Sequence, residues 1–286
     1  MTTQLALFTR TRPKGQLLKW IGSKFRYAEK IVSYFPDNYN RYIEPFVGTG
    51  AVLATLSPTD AVAGDMLEPL IDFWQLVQND PDKLASYYEN EISLFNSHRE
   101  VAYQRIKNQY NHSPNPFDLL IISRTCYGGV MRFTRDNKIS TPIGPHRPIP
   151  PKVFKARLLE WRDRTANTNF QFQSFQETMK NGAEGDLIYC DPPYIDSQSI
   201  LYGAQEFKFN ELINMIETCK QKGAMVALSI DGRKKSGERV IELKVPTDLF
   251  GREIYLDCGS SMLKRFQNGG RIMIGEDVHD RLLLTW

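Results

Sequence analysis

Six consecutive residues, Tyr189-Cys190-Asp191-Pro192-Pro193-Tyr194, carry the densest chemistry in the chain. Two successive prolines hold the backbone extended and remove two N–H donors, which leaves carbonyl oxygens to accept from a substrate amino group. Asp191 adds a carboxylate acceptor, and Tyr194 offers a flat face on which a planar base can stack. The set suits an exocyclic NH2 held in place while its nitrogen attacks an electrophile. A plainer alternative is a strand-ending turn with a helix cap. The apolar strand before the segment and the aromatic ring after it weigh toward chemistry. A second cluster, Glu44-Pro45-Phe46-Val47-Gly48-Thr49-Gly50, uses glycines so that backbone can approach a ligand closely. It is neither a GxGxxG fingerprint nor a Walker loop, so phosphate cradling is disfavoured. Asp65, fifteen residues after Gly50, sits where a carboxylate can accept from ribose hydroxyls, its plainer alternative being a helix cap.

These residues need a frame. Arg41-Tyr42-Ile43-Glu44 predicts a short strand, the glycine turn follows, and Ala51 to Leu56 predicts an apolar helix. Ala61 to Gly64 predicts a second strand ending at Asp65, with a helical pattern from Leu70 to Val77. Strand, turn, helix and strand make half of a doubly wound nucleotide-binding sheet. The alternation then stops for roughly 90 residues, long enough for an inserted unit. Pro81 to Tyr110 and Phe117 to Ser123 predict helices, and Thr141 to Pro151 holds five of the 16 prolines, a stiff loop. From Phe170 onward the rhythm returns. Asp186 to Cys190 and Ala224 to Ile230 predict apolar strands, Asn210 to Lys222 the helix between them, and Arg252 to Leu256 and Leu282 to Trp286 two late strands.

Composition bounds the function. The 286 residues are 41% hydrophobic and 24% charged, as in an ordinary globular protein, and the formal charge of +3 announces no polyanionic partner. Its distribution does. Arg124 to Arg164 holds ten basic and three acidic residues, and Lys14 to Lys30 five basic and one acidic. No apolar run approaches the ~20 residues of a membrane span, and Leu5 to Phe8 is too short for a secretion signal. Cys126, Cys190, Cys219 and Cys258 form no CxxC pair and have no clustered histidines, so no metal is expected and reduced cytoplasmic thiols are. Tyr87, Tyr88, Phe95 and Trp161 read as packing side chains, and His112 and His146 as loop residues.

Asp191 to Tyr194, Glu44 to Gly50 and the N-terminal Leu18-Lys19-Trp20-Ile21-Gly22-Ser23-Lys24 together resemble the motifs of the Dam-type (D12 class, group α) DNA adenine-N6 methyltransferases. Three separated motifs occur in the family's order, with an insertion between the second and third, over most of the chain. The resemblance implies an α/β fold, the class I S-adenosylmethionine (SAM) methyltransferase sheet. Residues 1–67 and 168–286 would form the catalytic domain and 68–167 a mostly helical target-recognition domain. It further implies that Trp20 and Lys24 border the SAM site. Phe46 and Gly48, with Glu44, Pro45 and Gly50 of the same motif, would surround the methionine portion, and Asp65, next to Met66, would bind the ribose. Ser174-Phe175 stand where many members carry an acidic-aromatic pair at the SAM adenine. Asp191 and the Pro192 carbonyl, with Pro193, would hold the adenine N6 amino group while Tyr194 stacks on the ring.

Adenine N6 is a poor nucleophile because its lone pair is delocalised into the ring. Acceptors at Asp191 and Pro192 favour a more tetrahedral nitrogen aimed at the sulfonium methyl, so positioning and electrostatics carry the catalysis. Absence of a Pro-Cys nucleophile argues against cytosine-C5 chemistry. The target base must leave the duplex, at roughly a few kcal/mol. Arg124-Thr125-Cys126-Tyr127-Gly128-Gly129-Val130-Met131-Arg132 resembles the family's base-reading segment, with Gly128 in place of a usual asparagine. There Tyr127 is expected to wedge into the stack and Arg132 to read a guanine. Arg135, Lys138 and Arg147 would contact phosphates, and Lys19 a base or phosphate. The partner expected is double-stranded DNA, with a restriction endonuclease acting separately, and the protein a monomer. The alternatives are a cytosine-N4 methyltransferase and a catalytically idle DNA-binding regulator.

Overall fold

The computed structural model describes residues 10–134, 136–193, 207–231, 234–236, 239–241, 245–246, 248–257 and 279–286. Its centre is a seven-stranded sheet. In chain order the strands are β1 (Tyr42–Glu44), β2 (Ala61–Asp65), β3 (Thr168–Phe172), β4 (Leu187–Cys190) and β5 (Met225–Asp231). A two-stranded hairpin follows, β6 (Lys234–Ser236) and β7 (Arg239–Ile241), then β8 (Arg252–Asp257) and β9 (His279–Leu284). The sheet order is β3-β2-β1-β4-β5-β9-β8, with β1 to β5 parallel and β9 antiparallel to both neighbours.

Residues of β1 and β4 are buried throughout, as strands of a parallel sheet covered on both faces must be. From β1 the chain winds outward through β2 to β3 and then returns to the other side of β1 as β4. The order therefore reverses between β1 and β4, and the crevice at that switch point is where open α/β sheets bind ligands. Glu44 ends β1 and Asp191 directly follows β4, so the topology brings both to that crevice.

The helices are α1 (Ala28–Val32), α2 (Ala51–Leu56), α3 (Glu68–Asn79), α4 (Pro81–Ser97), α5 (Arg99–His112), α6 (Pro116–Thr125), α7 (Pro151–Thr165), α8 (Phe175–Met179) and α9 (Phe209–Gln221). The predicted helical stretch from Pro81 to Tyr110 is two helices, broken at His98, whose φ of −139° and ψ of 62° are not helical. Neither Pro nor Gly marks that break; α5 turns back to pack on α4 and α6. The last strand begins at His279 rather than Leu282, because its ladder to β5 and β8 continues through Asp280 and Arg281 beyond the apolar run. Sequence periodicity does not reveal α7, whose first turn is set by Pro150 and Pro151 at the end of the stiff loop.

Within 68–167, α3 packs on β2 and β3 and α7 packs on α2, while α4, α5 and α6 build outward from them. One apolar core runs through both parts without a break. At its middle, the ring of Trp74 from α3 lies 5.4 Å from that of Trp161 on α7 and 5.7 Å from that of Phe170 on β3. All three side chains are buried, so the outlying helices are joined to the sheet by packing and not by a linker.

Candidate active site

The glycine turn after β1 is pinned from several sides. The Val47 N–H donates to the Gly64 carbonyl (2.9 Å) and the Gly50 N–H to the Val47 carbonyl (2.7 Å). The Gly48 N–H donates to Asp65 Oδ2 (3.1 Å), and the Trp74 indole N–H donates to the Gly48 carbonyl (3.0 Å). At Gly48 φ is +45°, and a Cβ built there would meet nothing within 4 Å. Glycine thus both permits the turn and keeps clear the space in front of it. Asp65 also accepts from the Leu67 N–H through Oδ1 (3.1 Å), but Leu67 itself is the N-cap of the helix Glu68–Asn79, so Asp65 braces the turn before that helix and is not its cap. A carboxylate has about four acceptor positions, so the bonds from the Gly48 and Leu67 N–H groups leave room for hydroxyls of a ligand.

Charge gathers at the switch point. Lys24, in the 3-10 turn Lys24–Arg26, is only 4% exposed, and its Nζ lies 2.8 Å from Asp191 Oδ1 and 3.6 Å from Asp280 Oδ2. Glu44 is buried and accepts from the Tyr42 hydroxyl at 2.7 Å. Burial pushes the Glu44 carboxyl well above the usual range; Asp191's negative charge adds to this, while the Tyr42 hydrogen bond opposes it. Burial likewise pushes the Tyr189 phenol and the Cys190 thiol well above their ordinary values, with Asp191 adding to both. Cys190 is therefore a buried thiol and no nucleophile. Among the described residues, no group of three His, Cys, Asp or Glu could hold a metal ion.

A cavity of about 260 Å³ opens along this edge, just under the ~300–1,000 Å³ typical of small-molecule sites. One wall is acidic, from Glu44, Asp65 and Asp191. Another is aromatic: the rings of Phe46 and Phe175 stack at 5.4 Å, and Phe207 meets them edge-on at 5.9 and 5.8 Å.

Beyond the cavity, residues 126–144 form an irregular hairpin. Cys126 bridges Ile143 and Phe133 bridges Ile139, while the Arg132 N–H donates to Thr141 Oγ1 (2.7 Å). Buried Met131, Phe133 and Ile139 anchor it, and the Tyr103 hydroxyl donates to the Thr141 carbonyl. Tyr127 at its start is 42% exposed, and Arg132 and Lys138 also face solvent. The N-terminal segment lies against α6, α7 and the start of this hairpin. Arg124 donates to the Gln16 and Leu17 carbonyls, Arg157 to Gln16 and the Trp161 indole to Gly15. At Gly129, with φ at +66°, an added Cβ would come within 2.8 Å of the Lys19 Cβ, so only glycine lets the two approach. Partial burial lowers the Lys19 pKa, and the nearby Arg124 and Arg157 lower it further.

Residues 20–262 match the family model of the D12 class N6 adenine-specific DNA methyltransferases. The chain belongs to that family. A DNA N-6-adenine-methyltransferase of Escherichia phage P1 is 26% identical over 232 residues, covering 76% of this chain and 30% of that protein. The type II methyltransferase M1.LlaDCHI of Lactococcus lactis subsp. cremoris is 26% identical over 230 residues, covering 74% and 79%. A DNA adenine methylase of Haemophilus influenzae is 28% identical over 246 residues, covering 83% and 82%. The chain thus spans less than a third of the phage protein's length but about four fifths of the other two. As a D12 class methyltransferase the protein modifies adenine N6 in DNA, which sets aside the cytosine-N4 alternative.

Of the residues expected in this D12 methyltransferase's site, Trp20, Lys24, Glu44, Pro45, Phe46, Gly48, Asp65, Met66, Ser174, Phe175, Asp191, Pro192 and Pro193 line the one cavity. Gly50 does not. Its φ is +59° and a built Cβ would stand 3.1 Å from the Trp74 ring, so this glycine serves the turn into α2 and the packing of Trp74 rather than a ligand. Tyr194 and Arg135 lie outside the described residues. Ser174 lines the cavity while its hydroxyl caps α8, accepting from the Glu177 N–H. Sequence reasoning missed Gln176 and Phe207 on the cavity wall and Asp280 beside Lys24. Neither Phe207 nor Asp280 sits in a motif, and only the fold brings them near. Arg147 is exposed just past the hairpin, where Arg99 donates to the His146 carbonyl.

Proposed function

We propose that this methyltransferase binds SAM in the cavity between β1 and β4 and modifies an adenine flipped out of double-stranded DNA. The observation that carries the reading is that Asp191, Pro192 and Pro193 line the same cavity as Asp65 and the Glu44 to Thr49 turn. The donor set fits that molecule. Asp65 stands at the end of β2 with acceptor capacity for ribose hydroxyls, the Phe46, Phe175 and Phe207 rings offer faces for an adenine, and Gly48 keeps backbone clear of the methionine portion. SAM supplies, when bound, an electrophilic methyl on a sulfonium.

The chain's own residues do the rest. Asp191 and the Pro192 carbonyl accept the N6 hydrogens, fix the amine's orientation, and favour the pyramidal nitrogen that attack requires. Tyr127 at the start of the hairpin fills the gap the base leaves, Arg132 reads a neighbouring guanine, and Lys19, Lys138 and Arg147 hold phosphates. The basic surplus of 124–164 helps to offset the cost of opening the duplex. The domain division follows, with the sheet as catalytic unit and 68–167 as target-recognition unit. We place the protein as a monomer in a bacterial or phage-infected cytoplasm, paired with a restriction endonuclease acting separately. The test is Asp191→Ala, assayed by single-turnover methyl transfer and by DNA binding. Near-complete loss of transfer with binding kept is expected; an unchanged rate refutes the assignment.

A further inference from the structure

We infer that Asp280 and Lys24 are positioning residues for the methyl-transfer reaction: Asp280, on the antiparallel strand β9, fixes the Lys24 ammonium, and Lys24 in turn fixes the Asp191 carboxylate and keeps it ionised. The inference rests on the reading that Asp191 accepts the substrate amine.

A lysine only 4% exposed carries a heavy desolvation cost unless oxygens surround its charge. Three do: Asp191 Oδ1 at 2.8 Å, the Gly22 carbonyl at 3.3 Å and Asp280 Oδ2 at 3.6 Å. The first two accept hydrogen bonds from the ammonium, and Asp280 stands at ion-pair distance. Asp280 is itself buried and is held by the sheet on both sides, opposite Asp231 of β5 and Leu256 of β8. Its backbone has little freedom, so the place it sets for Lys24 is fixed by the strand ladder rather than by a loop. Among the described residues, the other titratable groups facing Asp191 are Glu44 from β1 and Tyr189 and Cys190 from β4. Burial holds all three toward their neutral forms. Lys24 is set against the two carboxylates Asp191 and Asp280, and Asp280 lies in none of the motifs read from the sequence.

Two opposite shifts follow from charge alone. An opposite charge at this range moves a carboxyl by ~1–3 pH units. Lys24→Met removes a cation beside Asp191, so the acid limb of the methyl-transfer rate should move up by about one pH unit or more. Asp280→Asn keeps an oxygen to hold the Lys24 ammonium but removes the anion that competes with Asp191 for it, so the limb should move down. Misplaced acceptors should also lower kcat for Lys24→Met by ~10²-fold, with KM for DNA little changed. Lys24→Arg, which restores the charge, should return the limb toward its wild-type position whatever its rate.

The experiment measures kcat, KM and the pH profile for Lys24→Met, Lys24→Arg, Asp280→Asn and Asp191→Ala. Thermal unfolding and calorimetric SAM binding show that each variant is folded. The expected result is a slow Lys24→Met enzyme with its acid limb raised and an Asp280→Asn enzyme with it lowered. If Lys24→Met does not fold, the direction of the Asp280→Asn limb decides: an unmoved or raised limb overturns the inference. A slow Lys24→Met enzyme with an unmoved limb, or one as fast as wild type while Asp191→Ala is dead, overturns it and leaves the proposed function standing. Activity retained by Asp191→Ala overturns both.

Discussion

Trp74→Phe should weaken SAM binding without touching a residue of the cavity. Trp74 is fully buried on α3, its indole N–H donates to the Gly48 carbonyl at 3.0 Å, and its ring edge rests against Gly50. Phenylalanine keeps a ring between Trp161 and Phe170 but drops the donor and about two buried ring carbons. The hydrogen bond is worth ~1 kcal/mol and each carbon roughly 0.8 kcal/mol, a loss of about 2–3 kcal/mol in stability. For a chain of this size that lowers the melting temperature by on the order of 3–5 °C. The ~1 kcal/mol lost at Gly48 is the part that bears on the site. It frees the turn to adopt conformations in which the Gly48 N–H no longer faces Asp65. SAM then binds only the competent fraction, and its Kd should rise by up to about fivefold. Chemical denaturation gives the stability and isothermal titration the Kd. A stability loss of that size with an unchanged Kd would refute the reasoning and leave Trp74 a core residue only.

Glu44→Gln should flatten the pH dependence of stability. Because burial raises the Glu44 carboxyl in the folded state, the native protein holds a proton that the unfolded chain releases above ~4.3. Wild-type stability therefore carries a component that falls as pH rises from that value toward the raised native pKa. The neutral amide removes it, and melting curves at a series of pH values check the difference. Arg132→Ala should relax base choice at one position of the target, worth ~1–3 kcal/mol, as read by methylation of a randomised duplex library. An equal loss on all sequences would make Arg132 a phosphate contact instead.

Much of the site is legible in the sequence because it depends on local chemistry. Two prolines after an apolar strand fix Asp191, and a glycine turn after Glu44 fixes the cavity's other edge; both sit at strand ends that periodicity reveals. What depends on long-range packing is not legible. Asp280 meets Lys24 only because β9 runs antiparallel between β5 and β8, and the polar residues that begin that strand carry no strand signal. Gly50 reads as a ligand glycine in the motif, yet Trp74, 24 positions further on, decides what it faces. The break at His98 has no Gly or Pro to announce it, and α7 hides behind a proline loop because its apolar face is interrupted by charges such as Arg157 and Arg164. Both arginines turn inward to donate to backbone carbonyls, a use of charge that a hydrophobic pattern cannot show.

The most direct measurement is a structure of the ternary complex with a non-reactive SAM analogue and duplex DNA carrying the target sequence. The account predicts a flipped adenine whose N6 lies about 2.7–3.2 Å from an Asp191 carboxylate oxygen and from the Pro192 carbonyl. It also predicts the analogue's sulfonium-equivalent atom on the far side of that nitrogen, between Asp65 and Asp191. An analogue bound away from the cavity between β1 and β4, or an adenine whose N6 contacts neither Asp191 nor Pro192, would contradict it.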